Sequence, residues 1–298
     1  MHIDITDLSK VYRGGATALN NLTLSVADGL FGLLGSNGAG KTTLMRVLCG
    51  ILPASSGQVV IDGHDLSTAA GARAVKQSLG YLPQDLQLYP DLTGREFLDY
   101  IGLLKGLDDD RARREQIQQL LEQVALNDDA GRRTREYSGG MKRRLGIAQA
   151  LLGNPRLVIV DEPTAGLDPE ERIRFRTLLA SLGAGRTVIL STHILDDVSQ
   201  TCPEVAVLSH GQLVYRGPTL GLAEEARGKV TTVLTPGPPP AGDHTVISAI
   251  TAAEGTWYRL ISDAPPPGSI AATPTLEDGY VVLMHTLRDV PPFKARIS

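Results

Sequence analysis

The chain has 298 residues, 42% hydrophobic and 21% charged, which fits an ordinary globular protein of one large domain or two smaller ones. A net charge of −4 gives no support to a nucleic-acid partner. Its two cysteines, Cys49 and Cys202, lack metal-ligand spacing and read as free thiols in a reducing cytosol. No apolar run approaches the ~18 residues needed to span a bilayer. Met1-His2-Ile3-Asp4 runs directly into an alternating pattern, with no signal segment expected, so the chain should reach a membrane only through a partner.

In chain order, Ile3, Ile5 and Leu8 alternate with polar residues, and Leu22, Leu24 and Val26 do so again, predicting two half-buried strands. Asp28-Gly29 reads as a turn, Phe31–Leu34 as a buried strand and Gln58–Asp62 as a further strand. These short strands suggest a small antiparallel sheet beside the main one. Leu79–Leu82 is a short strand running into a loop. Thr93-Gly94-Arg95-Glu96 is a capping box that opens a helix to about Lys105. Asp108-Asp109-Asp110 precede a second helix with Ile117, Leu120, Leu121 and Val124 on one stripe, and its Arg111–Arg114 run reads as a solvated face. Residues 85 to 153 are thus a helical insertion. The apolar runs Leu157–Val160 and Thr187–Ser191 suit parallel strands buried on both faces. Asp168-Pro169-Glu170-Glu171 caps a helix that Gly183 ends. Near residue 226 the composition changes, and Pro236–Pro240 and Pro265–Gly268 read as loop or linker signals. Residues 227–298 are expected to form a small α+β appendage with frayed ends, and 1–226 the main domain.

Gly35-Ser36-Asn37-Gly38-Ala39-Gly40-Lys41-Thr42-Thr43 fits G-x-x-x-x-G-K-[ST] between a strand and a helix, the context this phosphate-binding loop requires. Its glycines let the backbone turn tightly and aim N–H groups inward, and the helix starting near Lys41 adds the positive end of its dipole. Lys41 is suited to the β- and γ-phosphates, and the Thr42 hydroxyl to Mg²⁺.

Many NTPases share such a loop. Tyr137-Ser138-Gly139-Gly140-Met141-Lys142-Arg143-Arg144, about 20 residues before Leu157-Val158-Ile159-Val160-Asp161-Glu162, narrows the field. At these residues the chain, over about 1–225, resembles the ATP-binding-cassette (ABC) family, and the wording Tyr-Ser-Gly-Gly-Met-Lys-Arg-Arg-Leu resembles bacterial ATPase subunits of the ABC-2 exporter type. Thr275-Leu276-Glu277-Asp278-Gly279-Tyr280 is similar to a Leu-Glu-Asp segment common there. The resemblance implies an α/β fold of the P-loop NTPase ABC kind: a mostly parallel core sheet, an antiparallel β subdomain and an inserted helical subdomain.

It also implies site residues. Asp161 ends a buried strand and would hold Mg²⁺ together with Thr42 and Gln84, while Glu162 would polarise the attacking water. Gln84 resembles the Q-loop glutamine, His193 in Ser191-Thr192-His193 the switch histidine, and Tyr12 the aromatic that stacks on adenine. Ser138-Gly139-Gly140, at a helix N-terminus, would bind the γ-phosphate of ATP held by a second subunit. Asp168 in Ala165-Gly166-Leu167-Asp168 both caps a helix and matches the D-loop. The implied activity is ATP hydrolysis with Mg²⁺ that powers a membrane transporter. The implied partners are a second ATPase subunit, as a homodimer, and a separate integral membrane permease. The chain would then be cytoplasmic and peripheral at the inner face of the membrane. A soluble ABC ATPase acting on a macromolecular complex is the alternative. Ser36 replaces the usual proline of the loop, and the segment Ala27–Gly32 is about one residue short, which puts the pairing before the loop in question.

Overall fold

A computed structural model describes residues 1–164, 166–183 and 185–289. The chain divides into two compact units, Met1–Arg216 and Gly217 onward.

In the first unit, β1 (Ile3–Val11) pairs antiparallel with β2 (Thr17–Val26) and with β4 (Ser56–Ile61), and β5 (His64–Asp65) completes a sheet of order β2-β1-β4-β5. Ile3, Ile5, Leu22, Leu24, Val26 and Ile61 are its buried alternate positions. The second sheet is built on β3 (Gly29–Leu34), β6 (Leu79–Leu82), β7 (Leu157–Asp161), β8 (Thr187–Thr192), β9 (Glu204–Ser209) and β10 (Gln212–Pro218), in the order β10-β9-β3-β8-β7-β6. The β9/β3/β8/β7/β6 pairings are parallel. Every residue of β7 and β8 is buried, which explains their unbroken apolar runs. Only Ala27 and Asp28 separate β2 from β3. The shortened connection leaves the pairing intact, because Gly29, at φ 114°, enters register opposite Thr187.

Helices α1 (Lys41–Leu48) and α2 (Ala69–Gln77) belong to the core. Helices α3 (Gly94–Leu104), α4 (Asp110–Gln123) and α5 (Gly139–Leu151) form the insertion between β6 and β7. Thr93 and Glu96 make the capping box, and Asp109 caps α4 through the Ala112 N–H. The Arg111–Arg114 run is not uniformly solvated. Arg113 is buried, with Nε 2.8 Å from Asp99 Oδ1, Nη1 donating to the Leu107 carbonyl and Nη2 to Asp110. Arg113 lies on the same side of α4 as Ile117, and its long stem packs against Gly102 while its head finds acceptors. Helices α6 (Pro169–Leu182) and α7 (Leu195–Thr201) follow β7 and β8.

The second unit begins at Gly217 rather than near 226, because α8 (Thr219–Glu224) packs on α9 (Leu276–Asp289). Gly279 permits this approach, since a Cβ there would collide with the Leu222 carbonyl. Strands β11 (Val230–Thr235), β12 (Thr245–Ala252), β13 (Gly255–Ile261) and β14 (Ile270–Ala271) form a sheet of order β12-β13-β11-β14. Both proline-rich segments are loops inside this unit, not linkers between domains. The expected frayed end at 290–298 lies outside the described residues. A core of Ala226, Val230, Ile261 and Val282 is joined by a polar clamp. Fully buried Asp278 accepts from the Arg259 guanidinium, 2.5 Å away, and from the Thr275 N–H and hydroxyl at 2.7 Å each. Burial alone would raise the Asp278 carboxyl, but these donors outweigh it and hold it below its ordinary value of 3.8. Its stabilisation is therefore present above that value and is lost as pH falls through the lower folded value.

Replacing Asp278 with Ala strands the Arg259 cation and should cost about 3–5 kcal/mol. Limited proteolysis should then cut the second unit first, and fragment masses locate the cuts. A variant as resistant as wild type would contradict this account.

Candidate functional site

The site forms where parallel strands end together. Leu34 of β3 pairs with Thr192 of β8, and Asp161 of β7 pairs with Ser191, so Gly35, Glu162 and His193 leave the sheet at adjacent points. The carboxyl ends of strands in an open α/β sheet are where ligands bind, because side chains and helix N-termini converge there.

The loop Gly35–Gly40 follows β3 and is built for close backbone approach. Gly35 has φ 154° and Gly40 φ 106°, and a Cβ at either would lie 2.5 Å from a carbonyl oxygen, that of Leu208 or of Ala18. Gly38 turns at φ 81°. The buried Ala39 donates to the Ser36 carbonyl and accepts from the Gly211 N–H, while Ser36 and Asn37 are exposed. Gly40 is the N-cap of α1 without a side-chain cap, so the first-turn amides of Lys41, Thr42 and Thr43 point out of the helix start.

Lys41 is 5% exposed. Its Nζ donates to the Gly35 carbonyl at 2.7 Å and the Ser36 carbonyl at 3.2 Å, and lies 3.4 Å from Glu162 Oε1. Glu162 has a φ of 47°, a left-handed conformation that costs a non-glycine residue about 1–2 kcal/mol. Its N–H bonds the Ser191 carbonyl at 2.8 Å, and its other carboxylate oxygen lies 2.7 Å from His193 Nδ1. The half-exposed His193 thus connects the buried Glu162 to solvent.

Asp161 is fully buried, and among the described residues neither its carboxylate oxygens nor the buried Ser191 hydroxyl is within hydrogen-bonding geometry of a partner. Burial raises the Asp161 carboxyl above its ordinary value, opposed by the nearby hydroxyls of Ser191 and Thr42. A buried carboxylate with free lone pairs beside the Thr42 hydroxyl fits a hard divalent cation. Among the described residues there is no cluster of three or more His, Cys, Asp or Glu. That donor set suits Mg²⁺, which takes one or two protein ligands and completes its shell with phosphate and water.

Other expected residues take separate places. Gln84 is exposed, just beyond β6, the strand beside β7. Tyr12 follows β1 and is exposed, its hydroxyl 3.1 Å from Thr43 Oγ1. Ser138 is the N-cap of α5, accepting from the Met141 N–H, and Gly139 and Gly140 form its first turn. Asp168 caps α6 by accepting from the Glu171 N–H at 2.9 Å, while Ala165 of the same loop lies outside the described residues. Among the described residues no hydrogen bond or ion pair joins Ser138–Gly140 to the phosphate loop. Sequence reading missed two features: Arg143, a basic residue within an already marked motif, and Asp197. Asp197 is 1% exposed, accepts from the Thr164 hydroxyl and ties the loop after β7 to the first turn of α7. Its Leu-Asp-Asp-Val context carries no signal of burial.

Fold and site together define a P-loop nucleotide-binding protein. A family model described as ABC transporter matches residues 19–165. An uncharacterized ABC transporter ATP-binding protein of Nostoc sp. is 43% identical over 224 residues, 71% of this chain and 65% of that protein, so the match spans just under two thirds of that relative. The Nod factor export ATP-binding protein I of Rhizobium sp. is 39% identical over 228 residues, covering 76% of this chain and 74% of that one. The methionine import ATP-binding protein MetN of Caulobacter vibrioides is 38% identical over 72% of this chain and 66% of its own. A solved ATP-binding subunit of an ABC transporter shares the fold with a TM-score of 0.67 at 28% identity, over 76% of this chain and 93% of that one. The chain belongs to the ABC transporter family of ATP-binding proteins.

Asp161→Asn removes a buried charge whose ionisation at neutral pH opposes folding, and keeps the shape. In the absence of nucleotide and divalent cation it should raise Tm by about 1–4 °C in a thermal scan at pH 7. A lowered Tm would mean that the carboxylate is compensated without a cation.

Proposed function

We propose that this chain is the ATP-binding and hydrolysing subunit of a membrane exporter, and that ATP drives its head-to-tail dimerisation. The observation that carries the reading is the buried set of Lys41, Asp161 and Glu162 with His193, held at the ends of β3, β7 and β8. The triphosphate would lie over the N-terminus of α1, where the backbone amides and Lys41 neutralise it. Lys41 would exchange its carbonyl partners in the loop for phosphate oxygens. Tyr12, its hydroxyl beside Thr43, would make a flat contact with the base.

Thr42, Asp161 and Gln84 would hold Mg²⁺, which when bound offsets the charge of the β- and γ-phosphates. Glu162 would accept a hydrogen bond from a water molecule and orient it in line with the γ-phosphorus. As the new O–P bond forms, the bond to the leaving ADP oxygen breaks. His193, bonded to Glu162, would fix that carboxylate and face the γ-phosphate. Ser138, Gly139 and Gly140, separate from the phosphate loop of their own chain, would close on the ATP of a second copy, with the Asp168 loop at the junction.

No helix among the described residues is long and apolar enough to cross a membrane, which supports a separate permease. The reading places the chain on the cytoplasmic face, without a nucleic-acid partner. Export is supported by the Tyr137–Leu145 wording and by the Rhizobium relative's name. The Caulobacter import protein stands at nearly the same identity, so transport by the intact complex decides the direction.

Lys41→Ala should abolish tight Mg-ATP binding in calorimetry, by at least ~10-fold in Kd. Unchanged affinity would remove Lys41 from the site.

Glu162→Gln keeps shape but loses the anionic carboxylate. It should bind ATP, turn over very slowly and accumulate as a dimer in light scattering. Adding Ser138→Arg should restore the monomer by obstructing the second half-site. A Glu162→Gln protein that stays monomeric at saturating Mg-ATP would contradict the dimer mechanism.

A further inference from the structure

Arg143 lies about 1.4 turns into α5 from its Ser138 cap, and its guanidinium is buried beneath the site. All five of its N–H donors are used, and all five acceptors are backbone carbonyls. Nε donates to Pro163 at 2.8 Å, and Nη1 to Pro83 at 3.0 Å and Gln84 at 2.8 Å. Nη2 donates to Asp161 at 2.9 Å and to Glu162. One rigid fork thus grips both the loop after β6 and the loop after β7. The gripped Glu162 is the residue held in the left-handed conformation, so the bond to its carbonyl helps fix the turn that aims its carboxylate at Lys41 and His193.

Helix α5 has little freedom to slide without moving β6. Gly80 of β6 faces the Ala150 carbonyl so closely that a Cβ would collide. A Cβ at Gly146 would fall 2.6 Å from Leu86 Cδ2 and 2.7 Å from Leu82 Cδ1. Displacement at the Ser138 end of α5 is therefore delivered through Arg143 to the two loops.

We propose that Arg143 is a positioning residue that transmits the seating of α5 on a second subunit's ATP to the alignment of Glu162 in its own site. The proposal rests on the ATPase reading above. It explains why the linking group is an arginine: lysine offers three donors for five carbonyls, and an uncharged amide offers two. Among the described residues no hydrogen bond or ion pair joins Arg143 to a phosphate-site side chain, and its hydrogen bonds all go to backbone carbonyls.

The test uses the full chain with Arg143→Gln and Arg143→Lys, each in the wild-type and Glu162→Gln backgrounds. Arg143→Gln should lower kcat by at least ~30-fold with KM for Mg-ATP changed less than ~3-fold, and Arg143→Lys should recover part of the loss. The Hill coefficient for ATP should fall toward one, while Mg-ATP still dimerises the Glu162→Gln variants. Amide hydrogen exchange should quicken in peptides covering Gln84 and Glu162 and stay unchanged in β3 and β9. A folded Arg143→Gln protein with wild-type kcat and Hill coefficient overturns the proposal, as does joint loss of ATP affinity and dimerisation. If Arg143→Gln does not fold, Arg143→Lys is judged by the same readouts. If the wild type hydrolyses no ATP, the ATPase reading fails, and exchange decides alone: unchanged exchange at both loops in Arg143→Gln overturns the tether.

Discussion

The parallel register of β3, β8 and β7 is the constraint on which the site depends. A parallel ladder fixes the level at which neighbouring strands end, so Leu34, Thr192 and Asp161 finish within one residue of one another. Gly35, His193 and Glu162 are then neighbours although far apart in the chain. The strands are buried on both faces, so slipping one of them by a residue would exchange every side chain between two packed layers. Apolar packing far from the phosphate loop therefore sets the distances among Lys41, Glu162 and His193.

Buried charge is handled differently in the two units. In the second, Asp278 is fully satisfied by Arg259 and Thr275 and acts as a clamp between β13 and α9. In the first, Asp161 keeps two oxygens without a hydrogen-bond partner among the described residues, and Glu162 shares its carboxylate between a lysine and a histidine. A group without partners is costly in a fold and useful in a site, because its lone pairs are available to a ligand. Arg143 is a third case, a cation stabilised by carbonyl dipoles, with the charges of Asp161, Glu162 and Asp85 around it opposing the cost of burial.

Much of this was legible in local sequence. The apolar runs of β7 and β8, the capping box at Thr93 and the glycine pattern of the phosphate loop each have a local physical cause: burial on two faces, satisfied helix-end amides and positive φ. Other features have causes that are not local. Arg113 carries the same charge as Arg111 and Arg114, and the facing Asp99, the Leu107 carbonyl and Asp110 make its burial tolerable. The composition change near residue 226 does not show that Thr219–Glu224 packs on a helix more than fifty residues away, at a glycine whose role is invisible without its neighbour.

By itself the sequence determined which residues could bind phosphate, cap helices or fill a two-sided sheet, since backbone freedom, charge and side-chain shape belong to each residue. It marked Lys41, Asp161, Glu162 and His193 as chemistry but did not set their spacing. Only the tertiary structure decided that Glu162 lies between Lys41 and His193, that Asp161 has no hydrogen-bond partner among the described residues, and that Arg143 grips both loops. Those facts depend on strand register and on close approach of α5 to β6, which arise when distant segments pack and which no single segment encodes.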